Sequence, residues 1–124
     1  MAGERFLRGL IEGRILASQC SNCGKRYIPP KAYCVDCFLE IKRFTQLGSL
    51  GLVAAITESS VGFGGDRLAK PKTFVFVVYK GVTGGLIHYA IGPRPEIGSK
   101  VVPKFRAPKK RKGTILDIKG FVRV

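Results

Sequence analysis

The chain has 124 residues, 45% hydrophobic and 24% charged, with 22 Lys and Arg against 8 Asp and Glu. Those shares are ordinary for a folded domain and exclude disorder, and the length excludes a multidomain enzyme, leaving one compact unit or two very small ones sharing a core. A formal net charge of +14 says nothing about fold but draws anions to the surface: nucleic-acid phosphates, cofactor phosphates or anionic headgroups.

A spanning helix needs about 20 predominantly apolar residues. The best candidate stretch, residues 47–57, is shorter and is broken by Gly48, Ser49 and Gly51. The N-terminus lacks the apolar segment and small-residue cleavage site of a secretory signal. A cytoplasmic location with no membrane partner is therefore expected.

In chain order, Phe6, Leu7, Leu10 and Ile11 recur at helical spacing opposite Arg5, Arg8 and Glu12, and Gly13 is placed to end the helix. Residues 1–13 are read as an N-terminal helix. Its apolar stripe packs either on this chain's own core or on another subunit, alternatives that amphipathicity does not separate. Residues 14–46 hold all four cysteines between short strand-like segments at 14–18 and 25–28. Pro29-Pro30, without backbone donors, reads as an extended spacer.

Residues 47–124 read as β-structure, with strands near 50–57, 73–80, 86–91, 100–106 and 113–124, and Gly84-Gly85 as a hairpin turn. The segment Thr-Phe-Val-Phe-Val-Val-Tyr-Lys at 73–80 is apolar on both faces, as for a strand covered on both sides. The expected fold is mostly β: an N-terminal helix, a four-cysteine zinc ribbon, then a five-stranded OB-fold barrel with glycine at its bends.

Cys20-Ser-Asn-Cys23 and Cys34-Val-Asp-Cys37 form two CxxC pairs separated by ten residues. Such pairs chelate from tight turns, and four thiolates can surround one Zn²⁺ tetrahedrally at ~2.3 Å. Gly24 suits the turn because a positive φ lets backbone N–H groups point at the sulfurs. Disulfides are disfavoured in a reducing compartment. One Zn²⁺ per chain is expected, structural because protein sulfur fills every position.

No catalytic residue is assigned. His88, the one histidine, sits mid-strand and reads as packing; the carboxylates are scattered; Gly62-Phe-Gly-Gly65 lacks the Lys-Ser/Thr of a phosphate loop. The cations fall in two groups. Residues 59–72, read as the loop after the first barrel strand, carry Arg67, Lys70 and Lys72. The loop joining the last two strands, with its flank, carries Lys104, Arg106, Lys109, Lys110, Arg111 and Lys112. OB-folds commonly bind ligands with these two loops, so the nine cations are candidate anion contacts, with solvated surface as the plainer alternative.

The order of helix, Cys-x-x-Cys-Gly, Tyr-Ile-Pro-Pro, a second CxxC, then Leu47-Gly48 and Gly51, Val-Val-Tyr-Lys-Gly and Gly-Thr-Ile-Leu-Asp-Ile resembles the rubredoxin-like zinc ribbon plus OB-fold proteins of the family called domain of unknown function thirty-five, common in archaea. The resemblance runs from about Phe6 to Phe121 and matches Cys20, Cys23, Cys34 and Cys37 to the family's zinc ligands. Val35 and Phe38 stand where the family more often shows proline and glycine, which leaves the second turn's geometry open.

The resemblance implies a non-catalytic partner of a thiolase-type enzyme. In archaea this is a bridge between acetyl-CoA acetyltransferase and hydroxymethylglutaryl-CoA synthase in the mevalonate route, with the barrel helping to hold acyl-CoA as a bound ligand. A basic rim suits the phosphates of coenzyme A. The rival reading is a nucleic-acid-binding module in which Phe74, Phe76, Tyr79 and Tyr89 stack bases and the basic loops track phosphate.

Overall fold

The computed structural model describes residues 2–48 and 50–124. Met1 and Ser49, which fall within the expected helix and barrel segments, lie outside the described residues. Helix α1 (Ala2–Ile11) is followed by strands β1 (Leu16–Gln19), β2 (Arg26–Ile28), β3 (Arg43–Gln46), β4 (Gly51–Val61), β5 (Arg67–Val78), β6 (Thr83–Gly84), β7 (Leu86–Ile91), β8 (Lys100–Phe105) and β9 (Ile118–Arg123). Single 3₁₀ turns at Pro108–Lys110 and Ile115–Asp117 lie between β8 and β9.

Strands β4-β5-β7-β9-β8 close into a barrel in that order, with β7 and β9 parallel and every other pair antiparallel. Read as barrel strands one to five, the order is 1-2-3-5-4-1, a five-stranded Greek-key closure of the OB type. Val53, Val75, Val77, Leu86, Val101, Ile118 and Phe121 fill its interior. Each side chain taken fully out of water contributes roughly 1.5–3 kcal/mol before entropy. Phe6 and Leu10 of α1, Ile15, Ala17 and Ile28 join the same buried cluster. The helix stripe thus packs on this chain's own core, with Leu7 and Ile11 left partly in water.

The ribbon sheet runs β3-β1-β2-β6. Its last strand comes from the barrel segment: Thr83 and Gly84 pair in parallel with Tyr27 and Ile28. Gly84-Gly85 is therefore not the expected hairpin turn. The chain reverses earlier, where Val82 N–H donates to the Tyr79 carbonyl at 3.2 Å, and Gly84 instead brings the connection against the ribbon. A Cβ on Gly84 would stand 2.1 Å from the Ile28 carbonyl oxygen, so only glycine admits this approach.

Other expectations shift for definable reasons. Residues 59–72 are mostly strand, with Ser59 opposite Lys72 and Val61 opposite Arg67, leaving residues 62–66 as the hairpin tip. Pro71 is tolerated there because this arm lies beyond β7, which pairs with β5 only from Phe74 to Val77. The last strand begins at Ile118 rather than 113, because Asp117 is buried and accepts hydrogen bonds from the N–H groups of Lys112 (2.9 Å) and Gly113 (2.8 Å). That carboxylate cannot alternate outward as a strand pattern requires. The Ile28–Pro29 peptide bond is cis.

Candidate functional site

The two CxxC turns are built alike. Cys20 N–H donates to the Lys25 carbonyl (2.9 Å) and Gly24 N–H returns to that of Cys20 (2.9 Å). Cys34 N–H donates to the Leu39 carbonyl (3.0 Å) and Phe38 N–H returns to that of Cys34 (2.9 Å). The equivalent positions Gly24 and Phe38 both have positive φ, 79° and 57°. The second turn thus keeps the geometry of the first although it lacks the glycine.

The left-handed region costs a side-chain-bearing residue roughly 1–2 kcal/mol, and glycine's extra unfolded-state freedom offsets roughly 0.5–1 kcal/mol of any gain from removing it. Phe38→Gly should therefore stabilise the metal-loaded protein by about 0.5–1 kcal/mol, seen as a rise of about 2–5 °C in Tm. A fall in Tm would show that the Phe38 ring contributes more to packing than its exposure implies.

The four Sγ atoms all lie within 4.8 Å of one another. Those of Cys23 and Cys34 are 3.7 Å apart, well beyond a disulfide bond and close to the ~3.8 Å edge of a tetrahedron with metal–sulfur bonds of ~2.3 Å. Donors surround the cluster. Asn22 Nδ2 points at Cys37 Sγ from 3.3 Å. The buried Tyr27 hydroxyl accepts the Val35 N–H at 3.2 Å and has its own proton free for Cys34 Sγ at 3.5 Å.

That tyrosine hydrogen bond, with backbone N–H groups, holds the Cys34 thiol down to about 6. Cys23 behaves oppositely: against the pull of the Lys25 N–H, burial and the neighbouring sulfurs push it up to about 12. A cluster of thiols whose charges oppose one another in this way is matched to a cation at its centre. The donor set, separations and turns fit a structural metal of the zinc-ribbon kind. Tyr27 was not singled out from sequence as a supporting residue, although its place in Tyr-Ile-Pro-Pro directly after the first turn was a usable signal.

On the outer face of the barrel, Phe74 and Phe76 of β5 lie opposite Tyr89 and Ile87 of β7. Phe63, at the hairpin tip, folds back so that its ring meets Phe74 (5.6 Å), Tyr89 (5.1 Å) and His88 (4.9 Å) edge-on. Beside it runs an apolar groove of about 160 Å³ lined by Ala55, Thr57, Phe74, Phe76 and Ile87. Tyr79, by contrast, points into the barrel core, where burial pushes its hydroxyl up to about 12.

The candidate cations divide by role. Arg67, Lys70 and Lys72 lie on β5, exposed, with the Lys72 ammonium 4.7 Å from the Tyr89 ring centre. Lys104 is exposed on β8, and Lys109, Lys110 and Lys112 are exposed on the connection to β9. Arg106 is half-buried. Arg111 turns inward: its Nε donates to the Arg106 carbonyl (2.7 Å) and Nη1 to that of Ile11 (3.2 Å), clamping this connection to the end of α1. Among the described residues, none of these cations pairs with a carboxylate.

His88 is touched from both cationic segments, though not by their cations. Its ring touches Phe63 of the hairpin tip, and its Nε2 lies 3.0 Å from the Ile115 carbonyl, while Nδ1 accepts the Tyr89 N–H at 2.8 Å. The second contact requires the Nε2–H tautomer. Both ring nitrogens are thus engaged with backbone, and burial lowers the pKa despite the carbonyl bond that raises it.

Because the folded pKa lies below the unfolded one, the unfolded chain binds the extra proton. The stabilisation from neutral His88 should be complete above about pH 6.5 and be lost as pH falls from there through the lower folded pKa. Urea titrations from pH 7.5 to 5 should show this decline, and His88→Phe should flatten it. An unchanged slope would assign the acid sensitivity to other groups.

The rubredoxin-like zinc ribbon domain of ChsH2 matches residues 9–39, a span that contains Gly24, Tyr27 and all four cysteines. A DUF35-family protein of unknown function from Sulfolobus solfataricus, known from its crystal structure, is 31% identical, with 82% of this chain and 76% of that one aligned at a TM-score of 0.69. The chain belongs to the DUF35 family. A second solved structure, of the Ltp2-ChsH2(DUF35) aldolase, aligns over 96% of this chain and 90% of that one at a TM-score of 0.70 and 17% identity, a likeness of fold. No curated protein matches. The ribbon-plus-barrel body thus recurs across DUF35 chains of low sequence identity. Among the described residues, no helix is long and apolar enough to cross a membrane.

Proposed function

We propose that this DUF35 protein is a non-catalytic, cytoplasmic acyl-CoA-binding scaffold subunit of a thiolase-type enzyme, acetyl-CoA acetyltransferase working with hydroxymethylglutaryl-CoA synthase in the mevalonate route. Zn²⁺ held by Cys20, Cys23, Cys34 and Cys37 is structural, because four sulfurs leave no position for water or substrate. The observation that carries the reading is the set of exposed cations on the β4–β5 hairpin and the β8–β9 connection that, among the described residues, pair with no carboxylate.

The long side chains of Arg67, Lys70, Lys72, Lys104, Lys109, Lys110 and Lys112 can close on the pyrophosphate and 3′-phosphate of coenzyme A without distorting the barrel. Arg106, half-buried beside them, belongs to the same set, while the Arg111 guanidinium serves by holding that connection in place. Two further points support the reading. His88 spends both ring nitrogens on backbone, and the Ltp2-ChsH2(DUF35) aldolase is an enzyme assembly that includes a chain of this fold.

The nucleic-acid alternative finds less support. Phe74 is only 8% exposed and is capped by Phe63, so it offers little ring face for a base to stack on.

The test is titration of the protein, alone and with its copurifying enzyme, against acyl-CoA and a single-stranded oligonucleotide at two salt concentrations. Acyl-CoA should bind, and neutralising Lys109, Lys110 and Lys112 together should weaken it at least about tenfold. A nucleic-acid groove would instead show affinity falling with salt at a log–log slope of roughly −0.7 for every phosphate engaged. Tight, salt-steep oligonucleotide binding with no response to acyl-CoA in either context would overturn the proposal.

A further inference from the structure

The second metal turn carries apolar side chains that the fold does not use. Tyr33 is 61% exposed, Val35 52%, Phe38 82% and Leu39 48%, all within seven consecutive residues. The backbone beneath them is held by the Cys34–Leu39 hydrogen bond, the Tyr33–Glu40 bridge and the sulfur cluster, so the group projects as a preformed knob. The metal-binding turn itself requires none of these side chains. Gly24 fills the position equivalent to Phe38 in the first turn without strain. Keeping a large aromatic residue at positive φ with its ring in water is unfavourable to the isolated chain on both counts.

The charges around the knob indicate what it meets. Lys25 pairs with Asp36 at 3.1 Å and Lys42 with Glu40 at 3.9 Å. Around the knob, Lys25, Lys31 and Lys42 stand against Asp36 and Glu40, a net charge of +1 within a chain of net charge +14. An anionic bilayer selects uncompensated cations beside its inserted residues. A second copy would bring another +14 against the first. An apolar centre whose rim mixes both signs and, among the described residues, keeps only one unpaired lysine is the composition of a contact with a different protein.

We propose that this knob, with Phe38 as its anchor, docks into an apolar pocket on the partner enzyme; the inference rests on the scaffold function proposed above. Four side chains are far fewer than the roughly 20–30 residues a standard interface places on each side. The knob is therefore the energetic centre of a larger contact, and its rigidity lowers the ordering cost of binding.

The experiment uses the metal-loaded full chain and the purified thiolase-type enzyme that copurifies with it, with affinities measured by calorimetry for wild type, Phe38→Gly and Val35→Ser/Leu39→Ser. Phe38→Gly is informative because it preserves the turn, so lost binding cannot be lost folding. Its affinity for the enzyme should fall about 30-fold or more, while metal content, Tm and acyl-CoA binding by the free chain do not fall. Equal enzyme affinity in wild type and Phe38→Gly overturns the docking proposal and leaves the scaffold function standing. A wild-type chain that binds no thiolase-type enzyme overturns both. Phe38-dependent flotation with phosphatidylserine–phosphatidylcholine vesicles, or Phe38-dependent dimerisation in sedimentation, overturns the assigned partner.

Discussion

Removing the metal, by chelation or by Cys34→Ser, is expected to melt the segment that carries both CxxC turns while the barrel persists. The ribbon's own buried cluster consists of Cys20, Tyr27, Cys34 and Ile41, with Cys37 packed against it. Three of those five residues are ligands. Without the metal, little more than Tyr27 and Ile41 remains to bury, on the order of 2–3 kcal/mol each at most. Ordering the backbone costs about 1–2 kcal/mol for every residue fixed, so burial alone cannot hold the turns. Structural zinc supplies an apparent ~10–16 kcal/mol in finger peptides, enough to reverse that balance.

The barrel has its own interior in Val53, Val75, Val77, Val101 and Phe121, which requires no metal. Hydrogen exchange should therefore lose protection at the N–H groups of Cys20, Gly24, Cys34 and Phe38 and retain it at Val75 and Val77. Elemental analysis of native protein should find about one zinc, or adventitious iron, per chain. Native protein with neither metal and two disulfides by mass, or apo protein with full ribbon protection, would refute this account.

The second large effect is expected at Gly84. Gly81 and Gly84 both have positive φ, 74° and 92°, but a Cβ on Gly81 would meet nothing within 4 Å whereas one on Gly84 would stand 2.1 Å from the Ile28 carbonyl oxygen. Gly81→Ala therefore isolates backbone strain, worth roughly 1–2 kcal/mol. Gly84→Ala adds displacement of the β2–β6 pair, each hydrogen bond of which contributes roughly 0.5–1.5 kcal/mol. Because the obstacle is backbone, no side-chain rotation can relieve it. Gly84→Ala should cost about 3 kcal/mol or more, against about 1 kcal/mol for Gly81→Ala, read from urea midpoints at constant m-value. Equal losses would mean that the ribbon and barrel tolerate separation at this contact.

Several features were legible in the residues because local chemistry determines them. The CxxC spacing with Gly24 specifies a metal turn, since that separation lets two ligands chelate from one turn. The helix stripe follows from periodicity and the strand cores near 73–80 and 86–91 from short, largely apolar runs, and Leu86–Ile91 is matched to the residue. The match of motif order to the ribbon-plus-barrel family was also visible, and it carried the fold. The exposed lysines were visible too, but their spatial arrangement was not. Sequence marks a cation, whereas only packing shows that the Arg111 guanidinium is committed to the Ile11 and Arg106 carbonyls.

Tertiary structure decided the rest for a common reason: the determining partner lies far away in sequence. Gly84 looks like a hairpin glycine until Ile28 is placed beside it. Residues 59–72 look like a loop because serine, glycine and proline break the apolar pattern, yet the arm pairs with itself and needs no buried face. Asp117 reads as the outward position of a strand, but the N–H groups of Lys112 and Gly113 supply the donors that let a carboxylate be buried. The outward rings of Phe74 and Tyr89 gain their cover from Phe63, a contact created when the β4–β5 hairpin bends over the barrel. Local sequence set which residues could ligate a metal or form a strand; long-range packing set which of those side chains remain free to meet a ligand or a partner.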